Sequence, residues 1–129
     1  MGSELRHQVE RFGPDAFAMS VTAESRPHVA PVQVAVVDDD SLEVLVLPGS
    51  RTERNAAAHP TVCLHWPGTA ATDGYSLIVD AHTDVVAREH DTLLRLTATK
   101  AVLHKLGAPG AQTSACGHDC VGVALDDRA

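Results

Sequence analysis

Basic side chains are scarce in this 129-residue chain: 10 Lys and Arg stand against 17 Asp and Glu, a net charge of −7 with histidine neutral. That balance excludes a general binder of phosphate backbones unless the few cations are gathered into one patch. Long apolar runs are missing too. The longest are broken within about ten residues, well short of the ~20 that a membrane-crossing helix needs. Met1-Gly2-Ser3-Glu4 opens the chain without the hydrophobic region of a signal peptide, so the expected location is the cytoplasm. Cysteine is limited to Cys63, Cys116 and Cys120, which cannot all pair within one chain. A compartment that keeps thiols reduced is the simpler account. Aromatic rings are confined to Phe12, Phe17, Trp66 and Tyr75, and any planar ligand has only these to lie against.

What is present suffices for one core. Apolar residues make up 44% and charged residues 21%, which predicts a single globular domain over residues 1–129 and excludes a disordered, tail-like protein. The eight histidines gain charge as pH falls through their reference pKa of about 6.5, moving an acidic chain toward neutrality. This alone implies no pH-sensing role.

Leu5, Val9 and Phe12 recur at helical spacing before Gly13-Pro14, predicting a short amphipathic helix over 4–12. Residues 17–23 and 28–37 are rich in Val and Ala and flank Glu24-Ser25-Arg26-Pro27, as in a hairpin. Asp38-Asp39-Asp40 reads as a turn, because a calcium loop spaces its oxygens at alternate positions over about twelve residues and ends in glutamate. A third strand over 42–47 closes on Pro48-Gly49. Ser50-Arg51-Thr52-Glu53 has the form of a capping box, Ala56 to Ala58 extend the helix, and Pro60 stops it. Strands follow at 61–66 and 75–88, with a loop over 67–74, and Leu77, Val79 and Ala81 share one face of the fifth strand. For 93–105, Leu and Ala favour helix while Thr97, Thr99 and Val102 favour strand, which leaves both readings open. Residues 107–129 read as a loop-like C-terminal tail. Short strands divided by turn signals, with no internal repeat, predict a small, mainly β barrel with peripheral helices.

The most informative stretch runs from Leu47 to Asn55, a strand that passes through a glycine turn into a helix beside two arginines. Unpaired amides and the helix dipole favour an anion there, and Arg51 and Arg54, three apart, share a helix face. Arg51 offers bidentate donors suited to phosphate, and Ser50 either caps the helix or turns its hydroxyl to the ligand. Glu53 opposes an anion in the same turn. The alternative is a capped surface helix with solvated arginines.

Arg26-Pro27-His28-Val29-Ala30-Pro31-Val32, Pro48-Gly49-Ser50-Arg51, Arg54-Asn55 and His59-Pro60-Thr61-Val62 resemble, in order and spacing, the pyridoxamine 5'-phosphate oxidase-like family of FMN-binding split β-barrels. The resemblance spans roughly residues 4 to 106 and implies a six-stranded split β-barrel, α+β by some schemes, working as a homodimer with flavin in the cleft between two chains. The related deazaflavin-dependent reductases share this barrel. By that resemblance Ser50 and Arg51 hold the phosphate, with Arg54 and Asn55 in support. Thr52 stands where the family's oxidases commonly have Lys, keeping a hydroxyl and losing a charge. Pro31, Val32 and Gln33 match the strand along the flavin ring, where basic residues of the true oxidases are absent. No Arg- and Trp-bearing C-terminal segment follows Gly107, so pyridoxamine phosphate is not the expected substrate.

The resemblance thus implies an oxidoreductase that uses FMN, or alternatively a deazaflavin, on a small molecule, with neither nucleic acid nor membrane as partner. A second class is a barrel that carries haem or another cofactor without turnover, and a third is a dimeric barrel that has lost its cofactor. Trp66 and Tyr75, at neighbouring strand ends, are candidates to border the cleft, with ordinary packing as the alternative. No catalytic acid or base is assigned, although Tyr75 or His65 would serve as proton donor if either faced the ring. Cys116, His118 and Cys120 are soft ligands close in sequence but lack a second cluster, and Asp80, His82 and Asp84 alternate on one strand face as a solvated sheet face does. No metal site is predicted, and His28, His59, His90 and His104 are read as surface or structural.

Overall fold

Strand alternation builds most of the molecule, whose residues 4–106 and 118–125 are described in a computed structural model. In β1 (Asp15–Val21) the small residues Ala16, Ala18 and Ser20 are buried while Asp15 and Phe17 face outward. β2 (Pro27–Val36) returns antiparallel, with Phe17 opposite Pro31 and Asp15 opposite Gln33. Between them, Thr22 N–H donates to the Arg26 carbonyl at 2.9 Å, and Ser25 takes a positive φ of 66°. The next turn is the expected aspartate one. Asp38 Oδ1 accepts from the amides of Asp40 and Ser41, which holds its carboxyl below the usual range.

β3 (Ser41–Val46), β4 (Thr61–Trp66), β5 (Ser76–Ala87) and β6 (Thr92–Leu106) complete a closed six-stranded barrel. Its antiparallel order runs β3-β2-β1-β4-β5-β6, and β6 closes on β3. The core is aliphatic: Leu42, Val44, Leu64, Leu77, Val79, Leu94 and Leu96 are almost wholly buried.

The ambiguous stretch 93–105 is therefore strand, and its pattern was obscured for a definable reason. Asp80 pairs with Lys100 but Ala81 pairs with Ala98, so Thr99 is an extra residue, a bulge whose hydroxyl donates to the Asp80 carbonyl at 3.1 Å. Leu94, Leu96 and Ala98 face inward before it, and Ala101 and Leu103 face inward after it. Neither a period of two nor one of 3.6 survives that insertion.

The C-terminal segment corrects a second expectation. His118–Gly122 form β7, paired with the end of β6 that extends beyond β3, so residues 107–129 are not loop throughout. β7 covers an edge that would otherwise expose a row of backbone groups. Val123 follows it into the core, and its amide donates to the Ala101 carbonyl at 3.0 Å.

Two helices seal the barrel. Leu5 and Val9 of α1 (Glu4–Phe12) are buried, and Trp66 Nε1 donates to the Gly13 carbonyl at 2.8 Å just beyond its end. α2 (Arg51–Ala58) buries Thr52, Asn55 and Ala56, and Asn55 Nδ2 donates to Ser20 Oγ on β1 at 3.1 Å. Replacing Asn55 with Ala strips a buried hydroxyl of its partner, so urea unfolding of Asn55→Ala should show a loss of about 1–3 kcal/mol.

Candidate functional site

The site begins where β2 and β3 part company. Their pairing covers only Val34–Val36 of β2, whereas Pro27–Gln33 pair with β1 alone. Val34 N–H donates to the Pro14 carbonyl at 2.8 Å. By alternation, residues 30 and 32 also turn their backbone groups toward β1, and residues 29, 31 and 33 turn theirs to the open edge. Proline has no N–H, so Val29 and Gln33 carry the amide donors of that edge on either side of Pro31.

Beside this edge lies a cleft of about 1110 Å³. Pro31, Val32 and Gln33 line it, together with Trp66. Trp66 is only 1% exposed and serves as a wall, held by Gly13. Phe12 and Phe17 line the cleft as well, and Phe17, 39% exposed, is the most exposed aromatic side chain and one that sequence reasoning passed over. Its signal was available: Ala16, Ala18 and Ser20 form the small inward set of β1, which turns Phe17 out against Pro31.

Tyr75 does not share the cleft. Trp66 lines it and Tyr75 does not, and Lys105 Nζ stands 5.4 Å from the Tyr75 ring centroid.

The turn into α2 lies outside the cleft lining, although β3 joins the two through Leu45. Gly49 takes the positive φ of 74° that the turn requires. Ser50 Oγ accepts from Glu53 N–H at 3.3 Å as the expected cap. Glu53 Oε2 in turn accepts from Gly49 N–H at 2.8 Å, one residue earlier than a capping box would place it. Arg54 donates to the Gly49 carbonyl. Thr52 is buried, and the Asn55 carboxamide points to Ser20 rather than to solvent. Arg51 is left as the exposed cation of the turn, with no hydrogen bond or ion pair among the described residues.

Elsewhere on the outer surface, the Cys63 thiol is pushed up to about 11 by burial and by the neighbouring Asp80 carboxylate. His65 is lowered by burial and by nearby His104, so His104 is not without a neighbour. His82 pairs with Asp84 at 3.7 Å, while Asp80 lies opposite Cys63. Among the described residues no group of three His, Cys, Asp or Glu is arranged to hold a metal. Cys116 lies outside the described residues, and Cys120 sits on β7 opposite His104. No helix among them is long and apolar enough to cross a membrane.

Neither protein-family models nor curated proteins match this chain. Solved structures do. A protein of the pyridoxinephosphate oxidase family from Clostridium acetobutylicum, related to general stress protein 26 of B. subtilis, superposes at TM-score 0.67 with 7% identity over 92% of each chain. An FMN-binding protein from Syntrophomonas wolfei does so at 0.58 with 9% identity, over 67% of this chain and 74% of that one. The haem storage protein HutZ from Vibrio cholerae matches at 0.59 with 18% identity, over 76% and 91%. The strand order, the closure of β6 on β3 and these superpositions agree: the chain has the fold of the pyridoxamine 5'-phosphate oxidase-like barrels.

Proposed function

We propose that this chain binds FMN and acts as a flavin-dependent oxidoreductase on a small molecule, as a cytoplasmic homodimer. The observation that carries the reading is the open edge of β2 beside the cleft. Pro31 and Phe17 offer flat apolar surface there, and the amides of Val29 and Gln33 offer donors to the polar rim of a planar ring. Ser50 and Arg51 suit the phosphate end, because Arg51 is exposed and uncommitted and its guanidinium matches phosphate geometry. Dimerisation is supported by the exposed apolar side chains Phe17, Val29, Leu45 and Leu47, which a second copy would cover.

When bound, FMN supplies hydride or electron transfer. The chain's own residues hold and orient the ring and exclude water from the cleft. No side chain is required as a nucleophile, and Cys63, with its raised thiol, is unsuited to be one.

The visible spectrum and mass of the copurified ligand test the reading directly. A flavin spectrum bleached by NAD(P)H and restored by an acceptor is expected, and a haem band, a deazaflavin, or blank titrations with FMN would overturn it. Arg51→Ala should weaken FMN about tenfold or more, the scale of one charge-assisted hydrogen bond, while leaving riboflavin binding and the circular dichroism spectrum unchanged. In peptide-resolved alkylation at pH 8, the Cys63 peptide should label far more slowly than the exposed Cys120 peptide, since a thiol titrating near 11 is about one part in a thousand thiolate.

A further inference from the structure

The turn that carries Arg51 is built from short-range bonds. Among the described residues, the side chains of Ser50, Glu53 and Arg54 bond only within residues 49–54, so they shape the turn without fixing where it stands on the barrel. The helix that follows packs against β1 and β5 through Thr52, Asn55 and Ala56. Thr52 and Ala56 are small, and apolar contact is non-directional, so this face alone resists rolling or sliding only weakly. Hydrogen bonds supply the direction. Thr83 N–H on β5 donates to the Pro60 carbonyl at 2.6 Å and tethers the far end of the helix. Asn55 Nδ2 donates to Ser20 Oγ at 3.1 Å, and among the described residues this is the one side-chain hydrogen bond from α2 to a barrel strand.

Ser20 belongs to β1, the strand whose outward-facing Phe17 lines the cleft. Three residues of strand, about 10 Å, separate the two. On the helix, Arg51 stands one turn, about 6 Å, before Asn55. Strand, hydrogen bond and helix turn thus form a continuous path from the apolar surface of the cleft to the exposed cation. A helix about 10–12 Å across that rolls by about 20° carries its surface groups about 2 Å, more than a hydrogen bond to phosphate tolerates.

We infer that Asn55 is a positioning residue for the cofactor's phosphate: through Ser20 it holds Arg51 at a fixed distance from the ring-bearing surface of β1 and β2, without touching the ligand. The inference rests on the reading of Arg51 as the phosphate contact made above. It replaces the direct phosphate contact that the family resemblance implies for Asn55, since the buried carboxamide is turned to Ser20.

The test compares FMN with riboflavin, which share the ring and differ by the phosphate, in Ser20→Ala, Asn55→Leu and the two combined. The combined variant leaves no buried partner unsatisfied and keeps the shape of the contact, so it holds its stability and keeps the inference testable if either single variant does not fold. Each variant should bind FMN about tenfold more weakly, the scale of one charge-assisted hydrogen bond, with riboflavin affinity unchanged. Adding Arg51→Ala to the combined variant should cost nothing further, because the bond acts through Arg51. Parallel weakening of both ligands would reduce the bond to general support of the fold and overturn the inference. So would an unchanged FMN affinity, or a loss that adds to that of Arg51→Ala. The unaltered protein separates the two claims: if it takes up no FMN, the cofactor reading and this inference fall together, whereas FMN binding with the FMN-to-riboflavin ratio preserved in every variant removes this inference alone.

Discussion

Six residues of β3 pair with the first part of β6, but only three pair with β2. That unequal commitment shapes the rest of the molecule. Because β3 is held along its whole length by β6, it turns away from β2, and Pro27–Gln33 of β2 keep a backbone edge that no strand fills among the described residues. The cleft lies beside that edge, and the turn into α2 is the continuation of the strand that left it. Closing the barrel and opening the cleft are thus one event in the hydrogen-bond ladder. β6 can close on β3 and also carry β7 because it is 15 residues long and contains a bulge that keeps its apolar side chains pointing inward on both sides of Thr99.

The polar groups around the site divide into those already spent on the fold and those left over. Asn55 is spent on Ser20, Arg54 on the Gly49 carbonyl, Glu53 on the Gly49 amide and Trp66 on the Gly13 carbonyl. Satisfying buried and half-buried groups in this way stabilises the turn and the helix that plugs the barrel. Among the described residues Arg51 at the turn has no such partner, and the amides of Val29 and Gln33 face the open strand edge. The proposed ligand contacts are drawn from these uncommitted groups, the cation at the turn and the amides beside the cleft.

Much of the architecture was legible in the sequence because local signals agreed with the tertiary outcome. Gly13-Pro14 ends a helix whose apolar spacing is regular, Ser50 caps α2, and Pro60 stops it. Residues 28–37 read as strand from their Val and Ala content, and β2 spans Pro27–Val36. Other features were hidden for physical reasons. The extra residue Thr99 shifts the facing of β6 halfway along, so no single period describes it. β7 is short and exists through its partner, with little strand propensity of its own. Whether Asn55 faces solvent or Ser20 depends on how α2 lies against β1, a contact across 35 positions that no local pattern encodes. Tyr75 and Trp66 end adjacent strands yet part company because Trp66 is drawn under Gly13 while Tyr75 meets Lys105.

The open half of β2 begins at Pro27 and has Pro31 at its middle, both on the side turned away from β1. A neighbouring molecule seeking to extend the sheet there by strand addition would find carbonyls unmatched by amides at every second outward position. Such an edge resists edge-to-edge stacking of barrels into fibrils, yet stays uncovered for a small flat guest that needs only isolated donors. Solubility and accessibility, usually opposed at a bare sheet margin, are reconciled by two imino acids.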